Sequence, residues 1–548
     1  MFPKIPFSSI IVCALVLPAG APITFDAGIS GHGSALLAQS MPKDIRRIQQ
    51  ELEALTPELM RKHGVVGAQI HLFGAGDRSL AFGHEDAERE NAVTPGTLFQ
   101  AADLVRPLTA YLLLGELQSR AAGRGVDFQT ALRAPLPPLA DFPLEGLAEF
   151  AGRDAGVSAY ELLTMTSGLP ASRDGLLRGE LDRPNPDDYL RERLALTHAP
   201  GDLFAIAPES YAYASKVLED LSEDEYETQL RRTLRQAFGI QSACVNRENC
   251  PPGLRSADGT VHSGSYVFPL KPPHVLYPAA DSLWISAPDY ARFLGGAIAR
   301  SKNDPAAAAL FRPVHRADPE LGGRAMGFQV LQGDAGGVLL YTSEGRLPGF
   351  SSYAFVTPEG RGAVLFCNSN ERFFIREMVS YFYDRFGVLE KSPPAPDAAT
   401  LDRARELEGS YRARETVPAR ERLFSFLTDV RIRAGARTID FGGVFQKEAG
   451  VQLYPIGPDL YLARGPVTMD GWRVKVRRDA DGEVVGLDSD LVRYERVHPL
   501  VSAWAILMYL GMLTSLPVLF FMLFIIRRRS AGPGAEADDA GRAGSVSA

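Results

Sequence analysis

Leu162-Leu163-Thr164-Met165-Thr166-Ser167-Gly168-Leu169-Pro170 is the most informative segment of this 548-residue chain. The segment opens within a short apolar stretch, residues 161–165, which predicts a buried helix. Four further segments also carry information about the fold: Thr94–Phe99 with Arg106–Ala110, Pro200–Phe204, Leu283–Phe293 and Pro348–Ser352. They lie in one central body, whose two flanking ends differ from it sharply in composition.

Composition describes an ordinary folded protein of several units. A length of 548 residues suggests three or four domains at about 150 residues each. A hydrophobic share of 45% and a charged share of 23% exclude a mostly disordered chain, a fibre and a polytopic membrane protein. The 58 basic and 66 acidic residues leave a net charge of −8, so nucleic acid is not expected as a partner. Four cysteines are too few for a disulfide-built scaffold.

The N-terminus has the order of a secretory signal. Lys4 precedes the apolar run Ile5–Leu17, and the small residues Ala19, Gly20 and Ala21 follow. We therefore predict a signal region over residues 1–40. A buried N-terminal strand or an uncleaved anchor is the alternative interpretation.

The C-terminal region predicts one transmembrane helix over residues 500–526. Leu500–Ile526 carries no charge, and as a helix it would extend roughly 40 Å, enough to cross a bilayer core of about 30 Å. Arg527, Arg528 and Arg529 follow at once, which places the disordered tail 527–548 in the cytoplasm. The body is then extracytoplasmic, in the periplasm or at the cell exterior. A long buried helix of a soluble core is the alternative.

Periodicity along the body predicts strands at both ends with helices between them. Asp44–Lys62 has one apolar helical face, and Gly67–Phe73 with Ser79–Phe82 predicts a hairpin. The further predicted helices are 109–117, 161–165, 211–221, 225–238, 288–299 and 373–386, and the late strands are 326–331, 338–342, 352–356 and 362–368. This order favours one sheet assembled from distant segments, with an inserted helical lobe.

A proline-rich stretch, Ser392–Asp397, marks a boundary, and we place a linker at 389–400 between a main domain, 44–388, and a small β domain, 401–497. The clearest strand of the second domain alternates Trp472, Val474 and Val476 with basic residues, before a turn at 479–482. A β-sandwich and a β-barrel both fit this region.

Generic cofactor and metal motifs are absent from the sequence. It contains no P-loop, no helix-opening GxGxxG, no HExxH and no CxxC, so neither a cofactor nor a metal is expected. Cys244 and Cys250 are six positions apart in a domain expected to be exported, which favours a local disulfide. Two free buried thiols are the alternative. Cys367 lies in an apolar strand and is expected in the core.

Through the five segments, residues of about 50 to 388 resemble the β-lactamase-like serine hydrolases, which include class C β-lactamases and DD-peptidase-related esterases. The segments follow the family's order and spacing, and segment 162–170 is the most specific. The resemblance implies an α+β fold of the β-lactamase/transpeptidase type, an antiparallel sheet flanked by helices plus a helical lobe. A β region followed by a membrane helix also looks like the tail of some members.

The resemblance implies where the catalytic residues of the family would stand. The nucleophilic serine and its lysine fall on Asp103 and Arg106, and the Tyr-x-Asn motif falls on Ile206-Ala207-Pro208. The third motif, His or Lys followed by x-Gly, falls on Ser343-Glu344-Gly345. Only the glycine is retained.

These replacements are incompatible with the family's acyl transfer. Such a reaction needs a nucleophile that forms a stable ester and a base that releases its proton. A carboxylate at Asp103 would give a labile anhydride, and the guanidinium of Arg106 does not deprotonate in proteins. Ile206 has no proton to relay. The sequence therefore predicts a catalytically inactive pseudo-hydrolase.

The role of the residues that stand at the predicted catalytic positions has more than one interpretation. Asp103 and Arg106 could simply pair at a helix start. Alternatively the cleft persists as a binding or scaffold site for a peptide, glycan or protein ligand, with Asp103, Arg106, Ser343 and Arg346 as polar anchors. A serine hydrolase with a rebuilt site, using Ser210 or Ser343, is the enzymatic alternative. A third hypothesis assigns partner binding to the β domain.

Overall fold

The structure is a computed structural model. It describes residues 45–74, 76–150, 156–172, 184–263, 266–271, 274–312, 315–333, 337–387, 396–414, 429–435, 438–443, 451–465, 471–503, 505–509, 511–512, 515, 521–523 and 525. The predicted signal region 1–40 and the predicted tail 527–548 lie outside the described residues.

The first helix, α1 (Ile45–His63), covers one face of a central sheet. It is amphipathic, with Ile48 and Leu52 buried towards the sheet. Its last residues reach a second helix on the same face, α12 (Arg372–Arg385), where Lys62 binds Glu377 at 2.8 Å. The apolar spacing of the sequence identified this helix almost to the residue.

The central sheet has seven antiparallel strands in the order β2-β1-β11-β10-β9-β8-β7. Two strands come from the N-terminal part of the domain and five from its far end, as the pattern of distant segments predicted. The strands are β1 (Gly67–Phe73), β2 (Arg78–Gly83), β7 (Gly323–Arg324), β8 (Gln329–Gln332), β9 (Val338–Leu347), β10 (Phe350–Val356) and β11 (Gly362–Cys367).

Both faces of the sheet centre are covered, which explains why β1, β10 and β11 are apolar throughout rather than alternating. Helices α1 and α12 pack on one face, and helix α10 (Ala287–Arg300) packs on β1 and β11 from the other. Leu365 packs in the apolar cluster that includes α1 and α12, whereas the neighbouring Phe366 packs in the cluster that includes α10.

A helical lobe lies between β2 and β7 in the chain and packs around helix α2. Its helices are α2 (Arg106–Arg124), α3 (Phe128–Arg133), α4 (Leu147–Phe150), α5 (Ala159–Leu163), α6 (Pro186–Arg191), α7 (Pro208–Ser222), α8 (Tyr226–Phe238), α9 (Pro278–Asp281), α10 and α11 (Pro305–Leu310). Two short strand pairs, missed by the sequence patterns, accompany them: β3 (Phe99–Gln100) with β6 (Trp284–Ile285), and β4 (Gly259–Ser263) with β5 (Tyr266–Leu270).

The segment after α5 explains why residues 162–170 are so distinctive. Gly168 has φ +90°, and a Cβ there would lie 2.5 Å from the carbonyl oxygen of His198, so only glycine fits. The carbonyl of Met165 accepts the N–H of Ala205 at 2.9 Å, and Thr166 likewise accepts from Gly201 at 2.7 Å. This segment therefore fixes the loop that ends in Ile206.

The C-terminal β region is a closed eight-stranded barrel, which decides between the two architectures left open by the sequence. A helix, α13 (Ala398–Ala404), precedes it and crosses the predicted linker boundary. The barrel strands are β12 (Gly409–Ala413), β13 (Val430–Ala434), β14 (Ile439–Gly443), β15 (Val451–Gly457), β16 (Leu460–Arg464), β17 (Arg473–Arg478), β18 (Val484–Ser489) and β19 (Arg493–Val497).

The barrel docks on the segment that leads into β7. Lys475 binds Asp318 at 2.8 Å, and the buried carboxylate of Asp490 accepts the N–H of Gly322 at 2.7 Å. Burial raises the pKa of Asp490 to about 7, against the hydrogen bond from Gly322. The position of Arg324, two residues further on, thus depends on barrel contacts.

Two further predictions concern the ends and the cysteines. Among the described residues, no helix combines the length and the apolar character of a membrane span, and much of the predicted span 500–526 lies outside them. Cys244 and Cys250 form a disulfide with a Cα–Cα distance of 5.1 Å. Cys367 is a buried free thiol in β11.

Candidate functional site

The site begins at a strained turn before helix α2. Residues Ala102–Val105 form a short 3₁₀ turn that runs directly into the helix, and Ala102 has φ +50°, which is unfavourable for a residue with a side chain. The side-chain oxygen of Gln100 accepts the N–H of Ala102 at 3.0 Å and holds the turn in place. The turn sets Asp103 at the mouth of a cleft.

Arg106 is fixed by three acceptors at the start of α2. Its guanidinium pairs with Asp103 at 2.9 Å and with Asp281 of α9 at 2.7 Å, and its Nε donates to the carbonyl of Ala280 at 3.0 Å. The side chains of Arg106 and Asp281 are 7% and 0% exposed, whereas that of Asp103 is 24% exposed. Asp103 and Arg106 therefore close on each other while Asp103 keeps one side towards the cleft.

The electrostatics of this cluster keep Arg106 charged. Burial opposes its charge, but the carboxylates of Asp103 and Asp281 outweigh burial and raise the pKa of Arg106. For Asp281, burial raises the pKa, and Arg106 acts in the opposite direction. A guanidinium held in this way cannot serve as a proton acceptor.

Strand β9 approaches the same turn through Gly345. A Cβ on this residue would lie 2.5 Å from the carbonyl oxygen of Ala101 and 2.9 Å from the amide nitrogen of Asp103. Only glycine permits this contact, which explains why it is the retained member of the third motif. Ser343, two residues earlier, is buried and lines the cleft.

Ile206 and Pro208, the positions predicted for the tyrosine motif, lie in different surroundings. Ile206 lines the cleft with 51% of its surface exposed, and Pro208 begins helix α7 in the core. Tyr211, one turn into that helix, is fully buried and donates to the carbonyl of Leu163 at 2.6 Å. Burial raises its pKa well above the usual range, so it offers no displaced catalytic phenol.

Two sequence candidates do not face the cleft. Arg346 pairs with Glu344 at 3.2 Å and is not among the residues that line the cavity. Ser210 is fully buried and shares a hydrogen bond of 2.8 Å with Ser167. Both residues are close in sequence to predicted motif positions, but this closeness does not give them access to the cleft.

The cleft has a volume of about 830 Å³ and is bounded by the main domain and the barrel. Sequence reasoning assigned the barrel no part in it. The barrel residues that line it are Gln452, Tyr454, Arg464, Gly465, Trp472 and Leu491. On the main domain it also missed Arg324, Gln329, Phe373 and Arg376. These residues belong to none of the five segments, so no local signal selected them.

The described residues offer no site for a metal. No group of three or more histidine, cysteine, aspartate or glutamate side chains is arranged there to hold an ion. The described residues that line the cleft also include neither lysine nor histidine. The cleft thus presents arginines, carboxylates, hydroxyls and apolar surface.

Comparisons with known proteins support the fold predicted for the main domain. The model of the Beta-lactamase family matches residues 52–381, more than half of the chain. The crystal structure of SurE is 20% identical over 82% of this chain and 99% of its own, with a TM-score of 0.51. The octameric penicillin-binding protein homologue from Pyrococcus abyssi is 17% identical over 81% and 99%, with a TM-score of 0.52. No curated protein sequence matches the chain.

Proposed function

This chain belongs to the Beta-lactamase family, and from that premise we propose that it is a catalytically inactive, membrane-anchored member. In this proposal the main domain and the barrel lie outside the cytoplasm, and the cleft between them serves as a binding or scaffold site. The ligand classes that such a cleft could hold are a peptide, a glycan or a segment of a partner protein.

The observation that carries the proposal is the closed ion cluster around Arg106. Family chemistry would need a nucleophile at Asp103 and a proton acceptor at Arg106. Instead the carboxylate of Asp103 and the guanidinium of Arg106 lie 2.9 Å apart, and Asp281 pairs with the same guanidinium at 2.7 Å. Removing a single member of a catalytic unit typically lowers turnover by about a million-fold. Here the nucleophile, base and proton relay are all replaced.

Retention of the cleft supports binding rather than mere loss of function. Gly345 still fits against the turn that carries Asp103, and residues 162–170 still hold the loop of Ile206. The remaining cavity of about 830 Å³ is within the range of small-molecule sites, roughly 300–1,000 Å³.

The membrane assignment is supported by the sequence of the C-terminus. An uncharged stretch at 500–526 is followed by three arginines, the order expected for a span with a cytoplasmic tail. The disulfide Cys244–Cys250 agrees with an oxidising compartment. A chain truncated after Val497 should leave the membrane fraction, and its retention there would contradict the anchor.

An active hydrolase with a rebuilt site is the competing proposal. Ser343 is its best nucleophile because it lines the cleft, whereas Ser210 is sealed in the core. Against it, neither lysine nor histidine lines the described part of the cleft to activate that hydroxyl.

Hydrolysis assays on the full-length chain separate the two proposals. We expect nitrocefin, short nitrophenyl esters and D-alanyl-D-alanine peptides to be hydrolysed no faster by the protein than by its Asp103→Ala and Ser343→Ala variants. Ser380→Ala is the matched control, because this second serine also lines the cleft. A rate above background that disappears in Ser343→Ala or Asp103→Ala, but survives in Ser380→Ala, would overturn inactivity.

A further inference from the structure

Charge in the cleft is unevenly compensated. Four arginines and three carboxylates line the described part of the cavity: Arg106, Arg324, Arg376, Arg464, Asp103, Glu344 and Glu377. Each carboxylate already pairs with a cation, Asp103 with Arg106, Glu344 with Arg346 and Glu377 with Lys62. Arg324 belongs to none of these pairs.

Arg324 is the cleft arginine that carries the argument. Among the described carboxylates none forms an ion pair with it; its guanidinium lies over the ring of Phe204 at 4.8 Å and contacts the sulfur of Met165 at 3.7 Å. Burial lowers the pKa of Arg324 to about 10, so it stays protonated at neutral pH. The charge of Asp103 favours the protonated form of Arg324 without forming an ion pair with it. A desolvated cation with no paired carboxylate is costly, and a bound anion would relieve that cost.

Gln329 adds a second donor beside Arg324. The two residues are directly opposite in the pairing of β7 with β8, and both line the cleft. The side-chain Nε2 of Gln329 is buried and has no hydrogen-bond partner among the described residues. Unsatisfied buried donors are rare and mark positions where a group absent from the protein is accommodated.

Apolar side chains that are open to solvent also line the cleft. Ile206 is 51% exposed and Phe373 is 42% exposed, although both lie inside a concave cavity. Trp472 extends this surface from the barrel. Exposed apolar groups gathered in a cavity favour a ligand with an apolar body.

We propose that the cleft binds an organic carboxylate with an apolar body, its carboxylate on Arg324 and Gln329 and its body against Ile206, Phe373 and the Trp472 wall of the barrel. This inference rests on the proposed binding function and specifies its ligand class. It assigns recognition to β7 and the barrel, away from the ion cluster of Arg106. Arg324 is then the residue that determines specificity for the anion.

A matched pair of probes tests the inference on the full-length chain in mild detergent. Calorimetric titration with 1-naphthylacetate and 1-naphthylacetamide compares one aromatic body with and without the charge, after subtraction of binding to micelles. We expect the carboxylate to bind at least tenfold more tightly than the amide, as charge-assisted hydrogen bonds predict. In Arg324→Met the ratio should fall to about one.

Two variants keep the outcome interpretable. Arg124→Met removes an exposed arginine at the end of α2, outside the cleft, and should preserve the ratio. Ile206→Glu changes an exposed position, so it should fold normally and should weaken the carboxylate at least tenfold by repulsion. An unchanged ratio in Arg324→Met, or binding of neither probe, overturns the inference. Neither result restores catalysis, so the proposed inactivity is judged separately by the hydrolysis assays.

Discussion

The two walls of the cleft differ in how their arginines are paired. On the wall formed by the start of α2 and by α9, Arg106 is buried between Asp103 and Asp281, and each of these three charged groups has a partner within 3 Å. On the wall formed by β7 and the barrel, Arg324 has an aromatic ring and a sulfur as neighbours instead of a carboxylate. Removing one partner from the paired cluster should therefore be costly, whereas at Arg324 a bound anion could supply the missing partner.

The largest expected effect concerns the barrel wall and its pH dependence. Asp490 has a pKa raised to about 7 by burial, so the folded chain holds a proton that the unfolded chain loses near pH 4. Stability should therefore fall as pH rises from 4 to 7, by up to about 4 kcal/mol, and level off above pH 7. Denaturant unfolding across this range should show the fall in the wild type.

The Asp490→Asn variant should make that fall smaller while keeping an acceptor for Gly322. Asp281, whose pKa is also raised by burial, keeps a decline of the same sign. Glu483→Gln, which removes an exposed carboxylate from the same barrel, should leave the pH profile unchanged. An Asp490→Asn profile that declines between pH 4 and 7 as steeply as the wild type would assign the effect to another group.

On the compensated wall, Asp281→Ala should destabilise the protein by about 3 kcal/mol, because it leaves the buried charge of Arg106 with one partner instead of two. Asp103→Asn is the matched comparison, and it should lose no more than about 1 kcal/mol since Asp103 is partly solvated. Equal losses measured by denaturant unfolding would contradict the distinction between a buried and a solvated partner.

Gly345→Ala should destabilise by about 2 kcal/mol, since the new methyl group would collide with the backbone of the turn carrying Asp103. Gly115→Ala in helix α2 is the control: no atom lies within 4 Å of its Cβ position, and alanine favours helices. Thermal unfolding should show a lower midpoint for the first variant and an equal or higher one for the second.

The smallest effect on stability is expected at Arg324. Arg324→Met removes an unpaired, desolvated charge, so the free energy of unfolding should stay within about 1 kcal/mol of wild type or rise. Arg106→Met, by contrast, would strand two carboxylates and lower stability clearly. A large loss in Arg324→Met would mean that this arginine has a structural role that its described contacts do not reveal.

The sequence predicted the fold well because its signals are local. Apolar periodicity identified α1, the hairpin of β1 and β2, and the alternating strand β17, and the position of Gly168 follows from a backbone that excludes a side chain. The motif spacing also predicted that Asp103, Ile206 and Ser343 share one cleft, and all three line it. The order of the five segments fixes their places on the sheet and the lobe.

Long-range pairing and domain packing escaped the sequence for a physical reason. Asp281 reaches Arg106 across 175 positions, and its only local sign is a lone carboxylate in an apolar run before segment 283–293. Arg324 stands in a glycine-rich segment with no periodic context, and Trp472 was predicted only as part of an alternating strand. Which surfaces of two domains meet is set by tertiary packing that no local pattern encodes.

Covalent labelling tests the central claim, a family cleft kept without its reactive residues, most directly. The full-length protein is incubated with a penicillin and, separately, with a fluorophosphonate, and its intact mass is then measured. We predict an unchanged mass with both reagents, because neither Asp103 nor the buried Ser343 forms a stable adduct. A stoichiometric mass increase that maps to Asp103, Ser343 or another serine of the cleft would contradict the claim.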